Sequence, residues 1–322
     1  MTDWKRRGVL GLAAGALAWP VTGRAAPVAG ITGAAFGTTW RLAAPDNAGA
    51  GALRPAFDAL FAGIDREMSP WRADSDVSRL NAGGAGPHPV PPGLSRVIGA
   101  ALDLSAESSG RFDPTLGPLV ARWGFGPIEG EADPGPAALT FRPGEVTKAR
   151  AGVTFDPCGI AKGHALDRAA ELAEARGHES LLIDLGGELR AIGRHPDGRD
   201  WQVAVEEPLG RAGAAAVLRL PAGMSVATSG SAAQGYDLGG RRWSHIIDPA
   251  TGEPATGRLR SVTVLSDSAM AADGWATALF AAGDAAGPDL ARTRGLAALF
   301  LLDRPGGGLR TVTTGAMAEV LL

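Results

Sequence analysis

Apolar residues recur at helical spacing in residues 53–64, where Leu53, Phe57, Leu60, Phe61 and Ile64 share one face and Met68-Ser69-Pro70 closes the run. Residues 94–108 (ended by Gly110), 165–176 and 269–282 predict three further helices. Residues 34–42 alternate and predict an opening strand, and residues 152–155 a short apolar strand leading to the helix at 165. Residues 181–185 read as a buried strand ending in Gly186-Gly187. Residues 189–193, 202–206 and 215–220 read as antiparallel strands, followed by 261–265, 295–302 and 311–313. Residues 71–81 are polar without a period and 83–93 are rich in Gly and Pro, so both are expected to be irregular. Residues 127–150, rich in Pro, Gly and charge, are expected to form a surface insertion or hairpin within a domain spanning 27–322. Runs of strands broken by three or four helices predict an α+β fold, with mixed and largely antiparallel sheets and flanking helices.

The amino-terminal residues stand apart from this pattern. Lys5-Arg6-Arg7 precedes an apolar run over 8–19, then Pro20 and the small-residue stretch Gly23-Arg24-Ala25-Ala26, so residues 1–26 are expected to be a signal peptide. The paired Arg6-Arg7 suggests twin-arginine export, with an ordinary secretory signal or an uncleaved anchor as alternatives. The apolar run is short against the roughly twenty residues of a spanning helix. The single cysteine, Cys158, is far from the cleavage region, which leaves no lipid-anchoring residue and no intramolecular disulfide. The expectation is a soluble periplasmic protein. Lys5, Arg6, Arg7 and Arg24 against Asp3 give the segment a charge of +3, so its removal takes the formal net charge from −3 to −6. A mildly acidic chain argues against nucleic acid as the main partner.

Candidate chemistry concentrates in residues 156–167, DPCGIAKGHALD, where Gly159, Lys162 and Gly163 sit at a strand-to-helix handover. Glycines let a backbone approach a ligand, first-turn amides favour an anion and Lys162 adds a charge, so the turn can hold a phosphate. The alternative is a glycine-punctuated turn with a solvated lysine. Asp273 and Thr277, four apart on a predicted helix, project from one face and can supply oxygen ligands to Mg²⁺, or form a capping or solvent-facing pair. His245 and Asp248 fall on a short strand entering a turn, which allows acid/base work or a partly buried histidine and an Asx-type turn before Pro249. Thr228-Ser229-Gly230 reads as a turn able to bind phosphate oxygens. Cys158 reads as a small buried filler. The motifs of serine hydrolases, zinc enzymes and P-loop ATPases are absent.

Taken in order, residues 33–40 (GAAFGTTW), 68–81 (MSPWRADSDVSRLN), 110–126 (GRFDPTLGPLVARWGFG), 156–167, 183–193 (IDLGGELRAIG), 226–230 (VATSG), 244–252 (SHIIDPATG) and 261–280 resemble the ApbE-like FAD:protein FMN transferases. The resemblance implies that family's fold and an enzyme that takes FAD and Mg²⁺. Such an enzyme attaches FMN through a phosphoester bond to a Thr/Ser of an acceptor protein and releases AMP. An Mg²⁺-dependent FAD pyrophosphatase is the alternative, and a flavin-binding protein without turnover the third. Carried over, Asp273, Thr277 and the Ala161 carbonyl bind Mg²⁺; Lys162, Thr228 and Ser229 lie near the phosphates; and His245, grouped with Asp248, activates the acceptor hydroxyl. Trp71 lies near the adenine, and Met68, Asp113, Gly159, Gly187 and Glu188 complete the FAD-binding set. The implied partner is a flavoprotein or electron-transfer subunit on the same side of the membrane. Two departures stand out: many relatives are lipoproteins, and the family's usual tyrosine is here Trp71.

Overall fold

Eight strands pair in chain order, each antiparallel to the next: Val28–Ala35, Thr38–Pro45, Leu181–Leu185, Glu188–Ile192, Ser225–Gly230, Leu259–Ser266, Ala297–Asp303 and Leu309–Thr314. This computed structural model describes residues 28–322 apart from 46–47, 133–134, 233–234 and 239–240. The expected signal segment lies outside the described residues. Every described strand pair is antiparallel, and helices flank the sheet, as the α+β reading anticipates.

Both faces of the sheet are covered, which is why its late strands are apolar at nearly every position. In Ala297–Asp303, Ala298, Phe300 and Leu302 join the core under the helices, while Leu299 and Leu301 join a second core. That second core is closed by Trp201, Val203 and Val205 of strand Trp201–Glu206, by Leu218 and Leu220 of strand Ala214–Leu220, and by Met317. The helical face carries α1 (Leu53–Met68), α2 (Asp76–Ala82), α3 (Pro92–Glu107), α4 (Gly117–Arg122), α5 (Ala161–Glu174) and α6 (Ala269–Thr293). Phe57 and Phe61 of α1 pack on Trp40 at 5.5 and 6.1 Å between ring centroids. The helix of α6 is interrupted at Gly283.

Several elements differ from the periodicity reading. The opening strand read over 34–42 is instead a hairpin: it takes in the end of Val28–Ala35, the two-residue turn Phe36-Gly37, with φ of 51° and 71°, and the start of Thr38–Pro45. The polar stretch 71–81 contains α2, capped by the Ser75 hydroxyl on the Ser78 amide at 3.1 Å; seven residues are too few to show a period. Strand Gly86–Pro89 arises within the Gly/Pro-rich loop and pairs with Glu145–Lys148, which also pairs with Leu139–Arg142. Residues 127–150 therefore contain a hairpin, and its Leu139 and Val146 enter the main core. Residues 152–155 are not a strand. The Asn81 side chain replaces a strand partner there, accepting from the Phe155 amide at 2.8 Å and donating to its carbonyl at 3.0 Å. Lys148 is buried beneath this junction and donates to the carbonyls of Leu80, Asn81 and Gly83, closing the end of α2.

His164 of α5 is 3% exposed, and burial, followed by the nearby Arg96 and Arg168, lowers its pKa from 6.5 to about 4. The unfolded chain binds this proton near 6.5 and the folded chain only near 4, so stability falls as pH drops through that window, by about 3 kcal/mol in all. Glu188, raised by burial to about 7, contributes a slope of opposite sign between 4.5 and 7. Substituting His164→Gln removes only the histidine contribution. Urea unfolding from about pH 7 to about pH 4.5 should shift the stability difference steadily in the variant's favour as pH falls; a difference independent of pH would refute the assignment.

Candidate active site

Loops at one end of the sheet and the amino-terminal parts of α5 and α6 enclose a cleft of about 740 Å³. Met68, Trp71, Asp113, Gly159, Ala161, Lys162, Glu188, Thr228, Ser229, His245, Asp273 and Thr277 all line it, so residues spread over two-thirds of the chain converge. Trp71 is 64% exposed, whereas Asp273 and Glu188 are 4% and 3% exposed.

The contact of α5 with α6 builds the deep part of the cleft. Gly163 lies so close to α6 that a Cβ would fall 2.3 Å from the Ala269 carbonyl oxygen, which only glycine permits. At that approach the Gly163 amide donates to Asp273 Oδ2 at 2.9 Å. This first-turn amide, expected to face a phosphate, instead holds a carboxylate. Thr277, one turn further along α6, donates to the Gly159 carbonyl at 3.4 Å and lies 3.3 Å from Ser229 Oγ. Asp273 and Thr277 thus form an inward-facing pair, not a solvent-facing one. Ala161 is the first residue of α5, but the carbonyl that meets Thr277 is that of Gly159.

Lys162 Nζ bonds Glu188 Oε1 at 2.5 Å, and Glu188 Oε2 is buried without a partner among the described residues. Burial works against the Lys162 ammonium, but the carboxylates of Glu188 and Asp273 outweigh it and hold its pKa above the ordinary lysine value. Burial raises the Asp273 carboxyl, opposed by Lys162 and the Gly163 amide. For Glu188, burial dominates, Lys162 pulls against it and Asp273 adds to it. Two buried carboxylates therefore share one ammonium. A hard divalent cation with oxygen ligands fits this cluster: it would offset the uncompensated charge, and Asp273, Thr277, Ser229 and the Gly159 carbonyl present only oxygen.

Strand alternation separates two residues expected to act together. Thr228 and Ser229 belong to strand Ser225–Gly230, not to a turn; the Ser229 hydroxyl faces Thr277, while Thr228 Oγ1 pairs with Thr263 Oγ1 at 2.8 Å on the neighbouring strand. Gly187 follows Gly186 in the two-residue turn between strands Leu181–Leu185 and Glu188–Ile192, with φ of 65° and 104°, and its amide donates to Asp184 at 3.0 Å. Asp113 accepts from the Thr115 amide and hydroxyl and shapes the turn before α4. His245 meets the edge of Phe125 at 6.2 Å, and Phe125 stacks on Tyr236 at 5.3 Å. The Asp248 carboxylate accepts from Arg111 at 3.3 Å and from the Ala250 amide at 2.9 Å, which makes an Asx-type turn tied to the segment before α4. Cys158 is exposed on the cleft, contrary to its reading as a buried filler. The protein around it still desolvates the thiolate and, with Asp156 adjacent, raises the thiol pKa well above 9, which disfavours a nucleophilic role. Sequence reasoning passed over Arg111, Phe125 and Asp167, because their partners are distant in the chain.

The sequence profile of the ApbE family matches residues 36–300. The FAD:protein FMN transferase of Klebsiella pneumoniae is 33% identical over 87% of this chain and 86% of its own length, and that of Salmonella typhimurium 32% identical over 91% and 89%. Among solved structures, the apo form of the Pseudomonas stutzeri flavinyl transferase ApbE aligns at a TM-score of 0.81 and 35% identity over 91% of this chain and 96% of that one. The flavin transferase ApbE of Vibrio cholerae aligns at 0.82 and 30% identity, over 91% and 100%. With a profile match over most of its length, curated relatives above 30% identity and solved structures of the same fold, the chain belongs to the ApbE family.

Proposed function

We propose that this chain is an Mg²⁺-dependent FAD:protein FMN transferase acting in the periplasm. The name comes from its relatives. The observation that carries the reading is the cluster of buried Asp273 and Glu188 with Lys162 in a cleft of about 740 Å³ that an exposed tryptophan also lines. In the reaction, a threonine or serine hydroxyl oxygen of the acceptor attacks the phosphorus on the flavin side of the FAD pyrophosphate. The bond from that phosphorus to the bridging oxygen breaks, AMP leaves with the oxygen, and FMN remains on the acceptor as a phosphoester.

Asp273 and Thr277, with a main-chain carbonyl of the 159–161 turn, would hold Mg²⁺; when bound it neutralises pyrophosphate oxygens and the charge that develops on the leaving phosphate. Lys162 fixes a positive charge beside those oxygens in a water-poor pocket, where it stabilises developing charge most. Ser229 offers a hydroxyl at the same level. His245 accepts the proton of the acceptor hydroxyl on a ring nitrogen, with Phe125 bounding one edge of the ring. Trp71 offers an open indole face for a purine to stack upon.

The twin-arginine pattern in residues 1–26 supports export, and among the described residues no helix is long and apolar enough to cross a membrane. The partner in this reading is a flavoprotein or electron-transfer subunit exposing a flavinylation threonine or serine on the same side.

Incubation with FAD, Mg²⁺ and acceptor should yield a fluorescent acceptor band that survives denaturation; AMP release that acceptor does not accelerate would instead mark a pyrophosphatase. Substituting Asp273→Ala should lower turnover about 100-fold or more and weaken its Mg²⁺ dependence, and unchanged kinetics would sink the metal assignment. Substituting His245→Ala should lower kcat by about 100-fold or more with little change in KM for FAD; a rise in KM alone would move His245 from proton transfer to binding. Cys158→Ala should leave kcat within about twofold, since a thiol held protonated takes no part, and a loss of about tenfold would contradict that.

A further inference from the structure

Asp167, the last residue of the DPCGIAKGHALD segment, is not among the residues that line the cleft. It sits one turn beyond Gly163 on α5 and receives four donors. Oδ1 accepts from the Ala269 amide at 2.8 Å and from Arg190 at 3.3 Å; Oδ2 accepts from the Ser268 hydroxyl at 2.8 Å and from the Met270 amide at 3.0 Å. Two of these are first-turn amides of α6, which have no partner inside their own helix. Ser268 is the N-cap of that helix, its hydroxyl also accepting from the Ala271 amide at 3.2 Å. Arg190 belongs to the same strand as Glu188, so the ion pairs Asp167–Arg190 and Lys162–Glu188 fasten α5 to that strand at two points.

We propose that Asp167 is a positioning residue for the metal site: by clamping the first turn of α6 to α5 it fixes Asp273 and Thr277 relative to Lys162. The proposal rests on the reading of Asp273 and Thr277 as Mg²⁺ ligands. Asp273 is one helical turn and Thr277 two turns beyond the clamped amides, about 6 and 12 Å along the axis, so the register of the first turn is passed on to both. Among the described residues the other hydrogen bond between the two helices runs from the Gly163 amide to Asp273, the ligand itself in that reading. Without Asp167, the ligand carboxylate must hold the helices together as well as the ion.

A neutral amide cannot replace the carboxylate. All four partners are donors, and asparagine would offer them one acceptor oxygen while turning its own two N–H donors toward the rest. Residues that orient metal ligands typically change metal affinity about 10–100-fold when altered.

The test is titration of the purified protein with Mg²⁺ while FAD binding is followed by flavin fluorescence, together with the FAD affinity and thermal midpoint in EDTA. Asp167→Asn should raise the Mg²⁺ midpoint at least about tenfold while leaving the FAD affinity in EDTA within about twofold. Should that variant fail to fold, Ser268→Ala, which removes one of the four donors, should shift the midpoint the same way by about threefold. A Mg²⁺ midpoint within about twofold of wild type in a folded variant overturns the proposal, as does an equal loss of FAD affinity in EDTA, the mark of general loosening. If FAD binding by the wild-type protein does not respond to Mg²⁺, the metal reading itself fails; a responsive wild type with an unshifted variant removes only the role of Asp167.

Discussion

Two helix amino termini meet at Gly163, and each is closed by a carboxylate from the other helix: Asp273 of α6 on the Gly163 amide, Asp167 of α5 on the Ala269 and Met270 amides. The arrangement of the cleft depends on this exchange. A carboxylate at a helix amino terminus gains roughly 0.3–1 kcal/mol when exposed and up to about 2 when partly buried, while burying one costs several kcal/mol. Capping alone is therefore a poor reason to bury Asp273. Asp167, with four donors, is fully used in holding the helices. Asp273, with one amide bond, keeps coordinating capacity in a place it would not occupy for stability.

The charge balance points the same way. Burial is the leading influence on Lys162, Glu188 and Asp273 alike, and it opposes charge on each. The ammonium stays charged because two carboxylates face it; the carboxyls rise because burial outweighs the pull of the one ammonium beside them. The Glu188 oxygen left without a partner is the local trace of that imbalance. Leaving a buried charge uncompensated costs about 3–5 kcal/mol, more than one shared lysine recovers for two carboxylates. A cluster so arranged is stabilised by a bound cation, and an added cation is what the approach of an alkoxide to a pyrophosphate requires.

The helices at 53–64, 94–108 and 269–282 and the long strands were legible because their apolar spacing extends over several turns or both sheet faces. What escaped is held by side chains. α2 depends on the Ser75 cap and on Lys148 at its far end, and the extended 152–155 segment depends on Asn81. None of these has a period. In the site, the spacing of Asp273 and Thr277 gave their common face, but whether that face turned inward depended on Gly163, more than a hundred residues away. The hydroxyls of Thr228 and Ser229 look interchangeable in a row, and only the knowledge that they lie on a strand assigns them to opposite faces. Asp248 shows the converse: its place before Pro249 allowed either acid/base work or a turn, and its ion-pair partner, Arg111, lies 137 positions earlier, where no local pattern could show it.

Two parts of the cleft lining are held by different parts of the chain, which bears on how one pocket would serve two substrates in the proposed reaction. On one side, Trp123 stacks on Trp243 at 5.1 Å and donates to the Gly252 carbonyl at 3.2 Å, Phe125 stacks on Tyr236, and Arg111 reaches Asp248. These contacts join the segments on either side of α4 to the segment bearing His245, so the histidine is part of a braced wall. On the other side, Trp71 lies on the loop between α1 and α2, where Arg72 bonds Asp74 at 2.9 Å and Asp65 at 3.5 Å, pairs with little burial and modest strength. In the proposed reaction the braced wall carries His245, the group that would meet the acceptor hydroxyl within hydrogen-bond distance. The lightly held wall carries an exposed indole that needs only to cover a ring. In that reading precision is placed where a proton would move, and tolerance where a ring would be covered.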